Sequence, residues 1–109
     1  MLSNKLSGYL GFATKAGRLQ TGYNTCLSRI EKRRVRLLIV AEDSSMNTVK
    51  KMSQKCRTNG TDVRIFGTKK ELSGITGRGE SSVFAITDSN FASVIRQEID
   101  RIQSEREVF

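Results

Sequence analysis

In four segments of the chain, apolar side chains recur every third or fourth residue, which places them on one face of an α-helix. Ser3 and Asp88 are capping residues before the first and last of these segments, and Gly17 ends the first. Thr68 is a capping residue before a shorter fifth helix. The predicted helices cover residues 3–16, 23–33, 46–58, 68–72 and a last segment after Asp88. Their predicted core faces hold Leu2, Leu6, Tyr9, Leu10, Ala13, Tyr23, Cys26, Leu27, Ile30, Met46, Val49, Met52, Cys56, Phe91, Val94, Ile95, Ile99 and Ile102.

Short apolar segments between these helices predict strands. Residues 35–41 contain five consecutive apolar residues, a pattern typical of a strand that is buried on both faces. Residues 62–66 alternate, residues 82–87 form a further apolar segment, and residues 18–20 fit a short edge strand. Because strands and helices alternate, we expect right-handed crossovers and helices on both faces of the sheet. The prediction is an α/β fold in one domain (residues 1–109), a three-layer α/β/α sandwich with a small mixed sheet of about four strands.

Charge is distributed unevenly along the chain. The net charge is +8 and the sequence pI is about 10.0, which favours a polyanionic partner or an anionic surface. Residues 1–57 hold 12 of the 19 Lys and Arg residues but 3 of the 11 Asp and Glu residues. A generally basic soluble protein would have the same net charge, but the asymmetry favours one basic binding face.

The segment 15–36 combines a glycine turn, a short amphipathic helix and a cluster of basic residues. It holds seven positive charges against the single negative charge of Glu31. A helix start offers unpaired backbone N–H groups and the positive end of a dipole, so it suits a phosphate group. A helix start beside clustered Arg and Lys therefore predicts a nucleic-acid surface. The positive residues are Lys15, Arg18, Arg29, Lys32, Arg33, Arg34 and Arg36.

The first turn of the second helix is the part of this segment with the most specific chemistry. Gly22 has no Cβ, so a ligand can approach the backbone closely. The amide of Asn24 has donors and an acceptor, so it can contact a base edge as well as a phosphate. Thr25, Ser28 and Lys32 continue the same helix face. The alternative interpretation is a solvated helix face without a ligand.

Enzyme functions find little support in the residues present. The chain has no His, so the usual general base near neutral pH is missing. Cys26 and Cys56 fall on the apolar sides of predicted helices, so we expect reduced core residues rather than a nucleophile, disulfide or metal site. Asp43, next to Glu42, fits a helix cap better than a catalytic carboxylate. The loop 77–80 is glycine-rich but lacks the spacing of a nucleotide-binding motif. We predict no catalytic residue, no metal and no cofactor.

The sequence also predicts where the protein acts. No segment approaches the roughly 18 apolar residues that a membrane span needs. The N-terminal residues lack the apolar core of a signal peptide. Because both cysteines are expected to be reduced, the predicted location is the cytoplasm, without a membrane partner.

Several short motifs, taken in order, resemble a known family. They are Gly22-Tyr23-Asn24 after a basic glycine turn, LLIVAED, a helix ending in Lys-Cys, FGTKKEL and VFAITD. Over roughly residues 3–100, their order and spacing resemble the kink-turn-binding ribosomal proteins, the family of the seven-Ae and thirty-e proteins and small bacterial relatives. The resemblance implies a three-layer α/β/α sandwich that binds bent RNA without catalysis.

The resemblance also implies where RNA is bound, at the start of the second helix and the loop before the last strand. The family signature is Gly-x-Asn-Glu-x-x-Lys, in which Asn, Glu and Lys contact sheared G·A pairs. Gly22 and Asn24 match it, whereas Thr25 and Ser28 stand at the Glu and Lys positions. The loop, residues 77–81, is more polar than the apolar loop of many relatives. The loop residues expected to contact RNA are Arg78, Gly79 and Glu80.

The leading prediction is a non-catalytic RNA-binding protein, ribosomal or ribosome-associated. Since RNA duplexes resist major-groove recognition, the expected target is kinked or looped RNA, ribosomal or other non-coding. Ribosomal proteins and translation factors are further expected partners. Two alternatives stay open: a protein-interaction module on the same fold, and an accessory RNA-binding subunit of a separate modifying enzyme. The expected phosphate contacts are Lys15, Arg18, Arg29, Lys32 and Arg33.

Overall fold

The computed structural model describes residues 2–107, which form five helices and four strands. Each expected helix and strand is present, and the bounds agree within two residues except at the end of the fourth helix. The elements are α1 Asn4–Lys15, β1 Leu19–Thr21, α2 Tyr23–Glu31, β2 Leu37–Val40, α3 Met46–Asn59, β3 Asp62–Ile65, α4 Lys69–Thr76, β4 Val83–Ile86 and α5 Ser89–Glu107.

The four strands form one mixed sheet in the order β1-β4-β2-β3. β2 and β3 are parallel and are joined through α3. β4 is antiparallel to both of its neighbours and separates β1 from β2. The predicted mixed sheet is therefore confirmed, with a parallel crossover between neighbouring strands at β2-α3-β3.

Helices cover both faces of this sheet. The β2 side chains are fully buried, with Leu37 and Ile39 in one core and Leu38 and Val40 in the other. α1, α4 and α5 pack on the first face, and α2 and α3 pack on the second. The α/β/α sandwich is confirmed, and it explains why β2 is apolar at every position.

Two expectations about helices were wrong. α4 continues past Leu72 to Thr76, since both side chains are buried and the left-handed Gly77 (φ 68°) supplies the end. Met46 does not belong to the core, because the residue is 87% exposed. Met46 is the first residue of α3, directly after the Ser45 cap, and the helix reaches the core only one to two turns later.

The start of α1 is joined to α5 through a buried carboxylate. The Ser3 hydroxyl accepts the N–H of Leu6 at 3.1 Å and donates to Glu98 at 2.8 Å. Arg101 donates two further hydrogen bonds to Glu98, at 2.8 and 2.7 Å. The hydrogen bonds from Arg101, and then from Ser3, lower the pKa of Glu98 to about 2.

Candidate nucleic-acid interface

Gly22 shapes the start of α2. Its backbone adopts φ 99° and ψ 143°, a region in which residues with a Cβ are strained. Its carbonyl accepts the N–H of Cys26 at 3.0 Å, which begins the helix. A Cβ at this position would meet no atom within 4 Å, so the space beside Gly22 is open to another molecule.

α2 begins without a side-chain cap, unlike the other described helices. Side-chain oxygens of Ser3, Ser45, Thr68 and Asp88 accept backbone N–H groups at the starts of α1, α3, α4 and α5. Among residues 2–107, no side chain therefore accepts the N–H groups of the first turn of α2, which lie at the positive end of the helix dipole. An anion can satisfy these donors.

The loop before β4 lies against the start of α2. The Ser81 hydroxyl accepts the N–H of Gly22 at 3.1 Å and donates to the carbonyl of Val83 at 3.0 Å. The N–H of Ser81 also donates to the Ser73 hydroxyl at 3.1 Å, which joins the loop to α4. One serine thus brings together the two segments that the sequence predicts as RNA contacts.

Five predicted contact residues share one surface on α2. They line an open depression of about 380 Å³, which we call the helix-tip depression. Their side chains form no hydrogen bond or ion pair with other described residues. They are therefore available to a ligand. The five residues are Asn24, Thr25, Ser28, Arg29 and Lys32.

The remaining predicted residues lie around this surface at different places. Arg78, Gly79 and Glu80 are exposed in the loop that Ser81 anchors. Lys15 is exposed at the end of α1, in the other helical layer, and does not line the helix-tip depression. Arg18 and Arg33 line a depression near the end of α2 rather than at its start.

Five guanidinium groups meet at the end of α2. They surround a second depression of about 300 Å³, which we call the arginine pocket. Gly17, Gln20 and Thr87 complete its wall, and no carboxylate of the described residues lines it. None of the five forms an ion pair or side-chain hydrogen bond with a described residue. The five residues are Arg18, Arg29, Arg33, Arg34 and Arg36.

Five described carboxylates pair with other arginines, on and around α5, whereas Glu31 of α2 pairs with Lys55. The arginine pairs are Arg64 with Asp100, Arg96 with Asp62, Arg101 with Glu98 and Glu105, and Arg106 with Glu42. The tertiary structure thus neutralises the arginines around α5 and leaves those near α2 uncompensated. The potential of the α2 surface is therefore positive.

Sequence reasoning missed two features of this surface. Ser81 was not among the predicted contacts, since its bond to Gly22 joins residues 59 positions apart. Arg34 and Arg36 were counted in the basic segment but not assigned a contact, although they line the arginine pocket. The unbroken basic run was the signal for the arginines, whereas no local pattern pointed to Ser81.

The two cysteines are free, buried core residues, as predicted. Burial raises the pKa of Cys26 to about 12 and that of Cys56 to about 11, so both thiols stay protonated and are poor nucleophiles. The described residues contain no cluster of three side chains able to hold a metal ion. Within residues 2–107, no helix has the length and apolar character to cross a bilayer.

Two bacterial relatives and two solved structures are similar to this chain. The Bacillus subtilis RNA-binding protein YlxQ is 29% identical over 91 residues, 84% of this chain and 91% of the relative. The Enterococcus faecium RNA-binding protein YlxQ is 28% identical over 96 residues, 88% of this chain and 92% of the relative. A Bacillus halodurans protein of unknown function has a TM-score of 0.86 at 28% identity, covering 90% of this chain and 99% of that one.

The fold is also shared with a more distant protein, the Giardia lamblia 15.5kD RNA binding protein, with a TM-score of 0.76 at 17% identity. That match covers 90% of this chain and 87% of the other. Residues 4–96 match the family described as Ribosomal protein L7Ae/L30e/S12e/Gadd45. The family and the names of the relatives point to a non-enzymatic protein, which confirms that prediction. The resemblance inferred from the sequence is also confirmed, and the chain belongs to the ribosomal protein L7Ae/L30e/S12e/Gadd45 family.

Proposed function

We propose that this chain is a non-catalytic RNA-binding protein that recognises kinked or looped RNA at the start of α2. The observation that carries the proposal is the uncapped α2 start, which the Gly22–Ser81 hydrogen bond joins to the neighbouring loop. Two relatives of similar length are named RNA-binding proteins, which supports the same function for this chain. We place the protein in the cytoplasm, in ribosomal or ribosome-associated complexes.

The contacts follow from the chemistry of this surface. A phosphate at the helix start accepts the free N–H groups of the first turn, beside the open space at Gly22. The exposed Asn24 amide then contacts a base edge, since it both donates and accepts. Arg29 and Lys32, further along α2, bind adjacent phosphates.

A bend in the RNA is needed for this arrangement. The Ser81–Gly22 hydrogen bond holds the loop of Arg78, Gly79 and Glu80 beside the helix start, so one RNA contacts both segments. A straight A-form duplex hides its base edges in a deep, narrow groove, whereas a kink exposes them. Thr25 and Ser28 replace charged family residues with hydroxyls, so shape and phosphate contacts contribute more of the recognition.

The substitution Asn24→Ala tests the proposal. Binding to an RNA with an internal kink should weaken about tenfold, the usual loss for a base contact, while binding to a plain duplex stays unchanged. Affinities are measured by fluorescence anisotropy at two salt concentrations, because phosphate contacts predict weaker binding at high salt. The Asn24 side chain forms no hydrogen bond with any residue that the structure describes, so the variant should fold normally.

Asn4→Ala is the matched control, since Asn4 lies in the first turn of α1 on the opposite helical layer. Equal losses on kinked and plain RNA would show that Asn24 does not recognise the kink. Binding that does not depend on salt would instead support a protein-interaction module. A protein that binds no RNA but keeps a protein partner after nuclease treatment would support the same alternative.

A further inference from the structure

The arginine pocket has the properties of a phosphate site. Five like charges crowded into one depression repel each other in the free protein, and a bound anion relieves that repulsion. Guanidinium groups bind phosphate through paired N–H···O bonds, so a phosphate group suits this pocket. The arginines around α5, in contrast, already have carboxylate partners.

An aromatic groove adjoins the pocket. Tyr9 and Phe12 of α1 face Phe91 and Val94 of α5 across an open groove of about 550 Å³. Phe12 is 60% exposed, although most large apolar residues of the protein are buried. Exposed aromatic rings beside basic residues are the usual platform on which unpaired bases stack.

The pocket and the groove share a wall. Arg18 lines both of them. Thr87, in the pocket wall, donates its N–H to the carbonyl of Arg18 at 3.0 Å, and the next residue, Asp88, lines the groove. A ligand with a phosphate and a ring can therefore occupy both at once.

The charges of the two depressions orient such a ligand. The Asp88 carboxylate caps α5 by accepting the N–H of Phe91 at 2.9 Å, so it is fixed in place beside the groove. A phosphate is repelled from that carboxylate, and the arginines attract it to the other side. The base then lies in the groove, where Asn90 and Asp88 offer polar contacts to its edge.

We propose that the arginine pocket and the aromatic groove form one binding site for an unpaired nucleotide that flanks the structured RNA. The arginines hold its phosphate, and the aromatic side chains stack on its base. The site is continuous with the helix-tip depression, because Arg29 lines both that depression and the arginine pocket. α2 has nine residues and is about 13 Å long, so one RNA can reach both of its ends. The inference rests on the proposed function for the identity of the RNA.

The test compares kinked RNAs with and without a single-stranded extension of four nucleotides, placed in turn at each strand end. For the unmodified protein, the extension at one end should strengthen binding about tenfold, the effect of one stacked base and its phosphate. Phe12→Ala, and separately the pair Arg34→Gln and Arg36→Gln, should remove this gain. Phe12→Ala should leave binding to the blunt RNA unchanged.

Met46→Ala and Lys70→Gln are the matched controls, since they remove an exposed apolar side chain and an exposed charge at other places. Equal affinity for blunt and extended RNA at every end would overturn the inference. A loss of affinity for both RNAs in Phe12→Ala would do the same, because it would show a structural effect.

Failure of the proposed function can be told apart from failure of this inference. If kinked RNA binds no better than a plain duplex, the proposed function fails, and a free four-nucleotide RNA is then tested. Binding of that oligonucleotide that depends on Phe12 and Arg34 would support the nucleotide site on its own. The inference would be overturned if the oligonucleotide did not bind. It would also be overturned if an acidic peptide displaced the bound oligonucleotide at a lower concentration than further oligonucleotide does.

Discussion

Arg33 shows how a single residue departs from the conformation that its type prefers. It is the only non-glycine residue with positive φ (57°) in the part of the chain that the structure describes. Its N–H bonds to the carbonyl of Ile30 at 2.9 Å, and that of Arg34 bonds to Arg29 at 3.0 Å, which ends α2 in the way that a glycine usually does. The strained residue places a guanidinium group in the arginine pocket.

Arg33→Gly should therefore separate stability from binding. Glycine removes about 1 kcal/mol of strain that the left-handed backbone places on the folded state. Its greater freedom stabilises the unfolded chain, which offsets about half of this gain in the free energy of unfolding or more. We expect a free energy of unfolding equal to or slightly above that of the unmodified protein, measured by urea denaturation. Affinity for kinked RNA that carries the single-stranded extension should fall several-fold, since one phosphate contact in the arginine pocket is lost.

Arg33→Lys is the control for charge, because it keeps both the positive charge and the strained conformation. It should retain most of the affinity. Marked destabilisation of Arg33→Gly would show that the arginine side chain supports the fold, contrary to its exposed position.

At the scale of elements, Ser81 decides how the candidate interface is assembled. α2 and the loop before β4 are distant in sequence, and they adjoin because β1 pairs with β4 and places Thr21 opposite Phe84. The Ser81 hydroxyl then fixes the loop by its bonds to Gly22 and Val83. The loop and the helix start consequently act as one surface.

Ser81→Ala should loosen this surface. The hydroxyl's three hydrogen bonds, one to Gly22 and two to Val83, are lost. We therefore expect a decrease of about 1–2 kcal/mol in the free energy of unfolding and weaker binding to kinked RNA. Urea denaturation and anisotropy measure the two effects. Ser82→Ala is the neighbouring control, since the Ser82 side chain has no described partner. If both variants bind RNA as the unmodified protein does, the anchored loop is not part of the interface.

At the scale of the whole molecule, one polar cluster joins the two ends of the described chain. Ser3 and Glu98 are 95 residues apart in sequence, and their hydrogen bond holds the start of α1 against α5. Arg101 completes the cluster and stabilises the charged form of Glu98. Folding therefore favours the ionised carboxylate.

This cluster predicts a loss of stability in acid. The pKa of Glu98 is lowered from 4.5 to about 2 on folding, so the unfolded chain takes up the proton at higher pH than the folded chain. The contribution of Glu98 is complete above about pH 4.5 and disappears as the pH falls toward 2. As the pH is lowered from 6 to 3, the urea concentration at the midpoint of unfolding should fall more steeply for the unmodified protein than for Glu98→Gln.

Glu105→Gln is the control for this experiment, since Glu105 also pairs with Arg101 but is exposed. It should keep the steep acid dependence. Parallel curves for the unmodified protein and Glu98→Gln would show that Glu98 does not couple folding to pH.

The sequence by itself determined the elements of this protein. The continuous apolar run of β2 predicted a strand buried on both faces, and the spacing of Leu6, Leu10 and Ala13 predicted the buried side of α1. Such patterns are local, because the helical and extended periods depend only on neighbouring residues. Met46 fits the helical spacing of α3 but is exposed, since spacing alone does not show where a helix first contacts the core.

Only the tertiary structure decided which polar residues share a surface. The sequence supplied the basic segment, but chain order could not show that Ser81 contacts Gly22, or that Arg18 lies beside both Arg36 and Phe12. It also could not show which arginines are neutralised, since their carboxylate partners come from distant elements. The order and pairing of the strands set the distances between these residues. Strand order and pairing depend on how the two cores pack against the sheet, not on any local pattern.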